Sequence, residues 1–331
     1  MFSEFLKFDL RFQVRAPLLW IGIAVFALSA FVATSSDAVQ IGGSIGNVNR
    51  NAPLVILQFL NSFTILGLFI SGAFVGGTLL RDFEMGTSEL FFSKPIGARA
   101  YLLGRFSAGV IVSVLIYLGV ALAMMLGAAM PWIDPARLGP FQLSPFVFGL
   151  CVFVLPNLIF TSALIMLFAA TMRSMLGVYL AIMAFLVLSG VAGSYARDLD
   201  NLWAAALTDP FGARALGLTT RYWTAEDRNT LLPELAGYIL ANRALWLSLS
   251  AALIVTTLSV FKAQRAGTSA RKPWFGKRAG VMPVEAAPTT TRTPRLTAAP
   301  AASGFASAFR QYLKQTRFDT VHVLFSVPFL V

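Results

Sequence analysis

Six long apolar segments run through the chain, and a seventh begins at Val321 and continues to Val331. No other feature constrains the fold as strongly. A run of about 20 residues without a polar face cannot sit on a soluble surface, yet it is long enough to cross a hydrocarbon core. The runs are 17–34, 53–80, 106–130, 145–172, 175–196 and 244–261. None alternates apolar with polar residues, which excludes the strands of a membrane barrel. Composition agrees: 57% of the 331 residues are hydrophobic and only 12% are charged, far from an ordinary soluble mix. The chain reads as an all-α polytopic membrane protein.

Lysine and arginine set the expected orientation. With the N-terminus in the cytoplasm, residues 1–16, 81–105, 171–174 and 262–331 lie inside and hold 19 of the 26 basic residues. The acidic residues divide almost evenly, 7 inside and 8 outside, so the asymmetry is one of basic residues, as the positive-inside rule requires. The formal net charge of +11 sits beside helix ends and suits anionic lipid headgroups better than nucleic acid. Cys151 is the single cysteine and has no partner for a disulfide within the chain. His322 is the single histidine and stands far from it, so no metal-ligand cluster is expected.

Residues 1–16 carry Glu4 and Asp9 and no small-residue cleavage site, unlike a secretory signal. Their alternation between Leu6 and Arg15 resembles a strand. A helix, however, gathers Glu4, Lys7, Arg11 and Arg15 on one face and Phe2, Phe5, Leu6 and Phe12 on the other. A lone strand would leave its backbone unpaired, so an amphipathic interfacial helix is expected, with Lys7, Arg11 and Arg15 toward headgroups.

The inside loop Arg81-Asp82-Phe83-Glu84-Met85-Gly86-Thr87-Ser88-Glu89-Leu90-Phe91-Phe92-Ser93-Lys94-Pro95 has the marks of a short capped helix. Gly86 supplies a permissive joint, Thr87 an N-cap, Glu89 a charge suited to the helix N-terminus, and Pro95 a stop. Such a helix presents Leu90, Phe91 and Phe92 beside charges, either as an interfacial anchor or as a knob for a cytoplasmic partner.

This order of parts resembles the permease subunit of a type-2 ATP-binding-cassette exporter. In that family an interfacial elbow helix precedes the first span. The loop after the second span carries an acid, Gly-Thr, Glu-Leu, Pro, Tyr and a Gly-basic pair, here Glu84, Gly86-Thr87, Glu89-Leu90, Pro95, Tyr101 and Gly104-Arg105. Arg105 stands where lysine is commoner, and Phe91-Phe92 replaces a more usual leucine pair. The resemblance covers residues 1 to about 262. It implies that Glu84, Gly86, Thr87, Glu89, Leu90, Phe91 and Pro95 form the coupling helix seated in an ATPase subunit. It also implies a second permease half or a homodimer, and the bacterial inner membrane as location. More particularly, the chain is similar to the permease half of bacterial proteins sometimes fused to a metallopeptidase.

The chain itself contains neither a Gly-x-x-x-x-Gly-Lys-Ser/Thr phosphate loop nor a His-Glu-x-x-His zinc motif. It is therefore expected not to be an enzyme and to bind no cofactor, with ATP and Mg held by the partner. The alternative is a non-transport membrane sensor or assembly module that uses the same loop to hold a cytoplasmic partner. A channel is disfavoured, since the spans carry no charged ring.

Within the spans, Gln58, Asn61, Ser62 and Asn157 are the candidates for a path or for helix pairing. Gln58, Asn61 and Ser62 are read as one face. Interhelical hydrogen bonding is at least as good an account of them as substrate contact. Small residues at Gly67, Ser71, Gly72 and Gly76 predict close helix packing, and Pro156 predicts a loosened fourth span. Outside, Asp209-Pro210-Phe211-Gly212 reads as a turn and 231–243 as a helix entering the sixth span.

The domains expected are a six-span permease over 1–262, a disordered basic linker over 263–304, and a second elbow with an incomplete seventh span over 305–331. The tail repeats the elbow pattern, Tyr312-Leu313-Lys314 answering Phe5-Leu6-Lys7. It is read as the start of a second, interrupted repeat.

Overall fold

The computed structural model describes residues 1–36, 47–88, 96–195 and 201–265, together with 309, 312–314 and 316. The chain divides into two units, Met1–Trp274 and Phe275–Val331. Of the segment read as a linker, 263–265 continue the last helix of the first unit and the remainder falls outside the described residues, as does most of the tail read as a second repeat.

The first unit is helical throughout its regular structure. An N-terminal helix α1 (Phe2–Arg15) leads into α2 (Pro17–Ser35), followed by α3 (Pro53–Glu84), α4 (Ala98–Ala128), α5 (Ser144–Met172) and α6 (Met175–Tyr195). Three short helices follow: α7 (Leu202–Thr208), α8 (Ala213–Thr219) and α9 (Ala225–Thr230). The last helix is α10 (Gly237–Arg265). Six of these, α2 to α6 and α10, are long and apolar enough to cross a membrane. They alternate in direction. One end of the bundle therefore gathers α1, the end of α3 and the start of α4, and is called the elbow end. The far end carries α7, α8 and α9.

Proline and polar caps mark the helix starts. Pro17 and Pro53 open α2 and α3 at positions where a missing N–H costs nothing. The bend between α1 and α2 is at Ala16, extended (ψ 130°) as residues before proline tend to be. Asn201 caps α7, and Thr224 with Asp227 makes a reciprocal capping box on α9. Hydrogen bonds from the Thr224 backbone and hydroxyl hold the exposed Asp227 carboxyl below the usual carboxylate range. At the other end of the bundle, α5 turns into α6 through Arg173, which takes a left-handed conformation (φ 51°) and lays its guanidinium 5.1 Å from the centre of the Phe83 ring.

Two wide turns interrupt long helices. The first, Gly72–Gly76, lies inside α3. The second, Gly149–Val154, lies inside α5 just before Pro156. A proline ring clashes with the carbonyl four residues earlier, here Val152, and widening that turn removes the clash. The loosening expected at Pro156 thus takes the form of one wide turn on its N-terminal side.

The apolar core lies between α3, α4 and α5. Leu68, Val75, Leu79, Leu102 and Ile165 pack at its elbow-end half, while Leu60, Ile116, Tyr117 and Leu158 pack around the side lined by α2. Helices α2, α6 and α10 show most of their apolar surface outward, to the bilayer. At Gly67 α3 comes so close to α4 that a Cβ would strike the Tyr117 hydroxyl, which donates to the Phe63 carbonyl at 2.8 Å. Ser71 meets Thr161 of α5 at 3.3 Å. The small residues of α3 are packing residues, as expected of membrane helices that must approach closely.

The helices differ from the sequence runs mainly at their ends. Helix α4 begins at Ala98, eight residues before the apolar run at 106, and α3 continues to Glu84. Tyr101 and Arg105 therefore belong to a helix, and the connecting loop spans only 85–97. Helix α10 begins at Gly237, so residues 231–236 are not helical, contrary to the reading of 231–243 as one helix. Replacing Gly67 by leucine overpacks the α3–α4 contact and should cost about 1–3 kcal/mol. A lower thermal midpoint in detergent is the expected result, and an unchanged midpoint contradicts the close approach.

Candidate functional site

Two buried polar clusters stand at opposite ends of the bundle. The one at the elbow end is built on α1. Its face toward the protein carries Phe5, Asp9 and Gln13, four residues apart, with Asp9 and Gln13 buried. Lys7, Arg11 and Arg15 share the exposed face, as the helical reading predicts, and Phe8 and Phe12 are exposed between the two. The seat of the elbow is Gly104 on α4. A Cβ there would lie 2.8 Å from the Phe5 Cβ and 3.1 Å from the Phe2 carbonyl. Only glycine gives α1 this seat.

Around Asp9 stand two arginines, an aspartate and a tyrosine. Arg81 Nη2 donates to Asp9 Oδ1 at 2.5 Å, and its guanidinium lies 4.4 Å from the centre of the Phe12 ring. Arg105 Nη2 donates to Asp82 Oδ2 at 2.7 Å, Nη1 donates to the Thr78 carbonyl, and Nε is 3.7 Å from Asp9 Oδ2. The Tyr101 hydroxyl donates to Asp82 Oδ2 at 3.0 Å. Its ring stacks on Phe261 of α10 and meets Phe5 of the elbow edge-on. Gln13 Nε2 donates to the Thr78 hydroxyl and to the Phe74 carbonyl. Arg105 is 1% exposed and Asp9 0%, so these charges are viable only because they meet one another. Burial raises the Asp9 carboxyl above its ordinary range, against the pull of Arg105 and Arg81.

The loop leaves α3 directly from this cluster. Gly86 takes the left-handed conformation (φ 67°) that ends a helix. The Gly86 N–H donates to the Phe83 carbonyl and the Thr87 N–H to the Asp82 carbonyl at 2.9 Å, the Schellman pattern. The joint expected at Gly86 is therefore a helix stop. Thr87 precedes Ser88, which is helical, and Glu84 is exposed on the last turn of α3. Glu89, Leu90, Phe91 and Pro95 lie outside the described residues.

The far-end cluster collects the intramembrane amides. Asn157 Nδ2 donates to Thr64 Oγ1 at 2.9 Å and to the Phe211 carbonyl at 3.1 Å, and it lies 3.1 Å from the Asn61 amide. Asn61 also reaches the Phe211 carbonyl and the Ala213 N–H. Arg243 Nη1 donates to Asn157 Oδ1 at 2.7 Å, and Nε donates to Asn242 Oδ1 at 3.0 Å. Asn242 Nδ2 donates to the carbonyls of Ala206 and Asp209. The turn 209–212 forms as expected, with Asp209 Oδ1 accepting from the Phe211 N–H. Gly212 is required twice over, by its φ of 77° and by the Arg243 guanidinium lying where a Cβ would stand.

Asn61 and Asn157 thus pair helices, as the hydrogen-bonding account has it. Ser62, read as sharing their face, points outward, because neighbouring helical residues stand about 100° apart. Gln58 is half-buried and outside the cluster.

Sequence reasoning passed over Asp9, Arg81, Asp82, Arg105 and Arg243 as site residues. Two signals were available, the Gly104-Arg105 pair of the family resemblance and an acid on the Phe5–Phe12 side of the elbow. Arg105→Ala would leave Asp82 buried without its guanidinium, a loss of about 3–5 kcal/mol. Arg105→Lys recovers only part of it, because lysine lacks the fork that reaches Asp82 and the Thr78 carbonyl together. The order wild type, lysine, alanine in thermal midpoint is the expected result, and equal midpoints contradict the cluster.

No curated protein and no solved structure matches the chain. The family model described as ABC-2 family transporter protein matches residues 5–209. That span runs from the elbow through five of the six membrane helices and includes both clusters in part. The chain belongs to the ABC-2 transporter family and is a multi-pass membrane protein, a permease component of an ABC transporter.

Proposed function

We propose that residues 1–262 form an export permease driven by a separate ATPase subunit that docks on the loop between α3 and α4. The observation that carries this reading is the base of that loop. A Schellman stop at Gly86 and Thr87 is held over a buried cluster of Asp9, Arg81, Asp82, Tyr101 and Arg105. A buried, mutually paired foundation of this kind suits a loop that passes force into the bundle. Force applied to residues 85–97 would reach α1, α3 and α4 together, since each contributes to the cluster.

The elbow end is then the cytoplasmic end, in keeping with the basic-residue asymmetry, and the membrane is the bacterial inner membrane. Lys7, Arg11 and Arg15 face anionic headgroups, with Phe8 and Phe12 in the acyl boundary. The docking residues are Glu84, Gly86, Thr87, Glu89, Leu90, Phe91 and Pro95. ATP and Mg belong to the partner. A second permease unit, either another copy or a second half, completes the path. At the far end, the cluster around Arg243 and Asn157 keeps α7 and α8 seated on the spans and closes the outer side.

The test is charge reversal on the loop. Glu84→Lys or Glu89→Lys should abolish co-purification of an ABC ATPase co-expressed with this chain while leaving membrane insertion intact. Undiminished co-purification contradicts the proposal, and capture of a kinase or protease instead favours the sensor or assembly role.

A further inference from the structure

We infer that Asp9 is a positioning residue for the loop that leaves α3: through it the elbow helix fixes where residues 85–88 stand on the bundle. Two residues, Arg81 and Asp82, close the first turn of that loop with their main chains. The Arg81 carbonyl accepts from the Met85 N–H, and the Asp82 carbonyl accepts from the Thr87 N–H, both at 2.9 Å. The same two residues are gripped by their side chains. Arg81 is held by Asp9 of the elbow and by the faces of Phe12 and Phe8, while Asp82 is held by Arg105 and Tyr101 of α4. The root of the loop is therefore clamped between two helices, and Asp9 is the charged side chain that α1 adds to the clamp.

Burial of the Asp9 carboxyl outweighs the pull of both guanidinium groups, so its folded state takes up a proton more readily than the unfolded chain does. The contribution it makes is present below the ordinary carboxylate range and is lost as the pH rises through the raised value. The groups facing Asp9 are Arg81 and Asp82 from α3 and Arg105 and Tyr101 from α4. The grip is also incomplete. Asp9 Oδ2, Gln13 Oε1 and Arg105 Nε are buried without a hydrogen-bond partner, so one carboxylate oxygen does the holding. A contact made through one hydrogen-bonded oxygen is directional and specifies geometry.

The loop's role as an ATPase seat rests on the reading above, but its position is measurable in this chain alone. In a Cys151→Ser background reconstituted in lipid nanodiscs, spin labels are placed at Ser88→Cys, and as a far-end control at Ala136→Cys. Asp9→Asn should shorten the correlation time at 88 about twofold. The label at 136 should stay unchanged, and Asp9→Glu should restore most of the order. Gly104→Ala lifts the elbow by sterics alone and should mobilise 88 without any charge change, which decides the matter if Asp9→Asn fails to insert. An unchanged label at 88 in an inserted Asp9→Asn chain, an unchanged label at 88 in Gly104→Ala, or equal mobilisation at 136 overturns the inference. Failure of the ATPase reading shows differently, as a wild-type chain that retains no ATPase while the label result stands.

Discussion

The contact of Asp82 with Arg105 is the constraint on which the elbow end depends. A guanidinium 1% exposed at the end of a membrane bundle must find acceptors or the helix carrying it will not pack. Arg105 finds them in Asp82 and in the Thr78 carbonyl, both on α3. That pairing fixes the rotation and height of α4 against α3. Once α4 is placed, Gly104 presents a seat for α1, and Tyr101 presents a ring to Phe5 and Phe261. The elbow, the loop and the last span are thus registered by one buried pair, with Asp9 and Arg81 as its outer layer.

The far end solves a similar problem with neutral acceptors. Arg243 is surrounded by the side-chain oxygens of Asn157 and Asn242 and lies 5.6 Å from the centre of the Phe153 ring. Amides serve there because they can accept from the guanidinium and donate to the loop carbonyls of Ala206, Asp209 and Phe211 at once. At the elbow end carboxylates meet the guanidinium groups and several buried polar atoms stay without a hydrogen-bond partner, whereas at the far end the side-chain acceptors around Arg243 are neutral amides.

The six spans and the elbow were legible in the sequence, because hydrophobic length and helical periodicity are local properties. Gly86 and the 209–212 turn were legible for the same reason, since residue chemistry dictates the backbone there. The start of α4 was not. Arg99 and Arg105 look like the end of a membrane segment, and only pairing across to α3 lets a helix carry Arg105 inward. Asp9 and Arg243 were likewise hidden: one counted as an acid in a basic leader, the other as a loop cation before a span. Their partners are 72 and 86 residues away, a separation that composition cannot bridge. Ser62 was placed with Gln58 and Asn61 by three- and four-residue spacing, but those two spacings fall on either side of Gln58, and only Asn61 turns inward.

The central claim is that the elbow end is where an ATPase takes hold. Met85 is 68% exposed at the root of the loop, while Ala136 is exposed at the far end. Single cysteines at these positions, in the Cys151→Ser background, can be cross-linked in membranes containing a co-expressed ABC ATPase. The account predicts a permease–ATPase adduct from position 85 and none from position 136. An adduct from 136, or none from 85 while the two proteins co-purify, would contradict it.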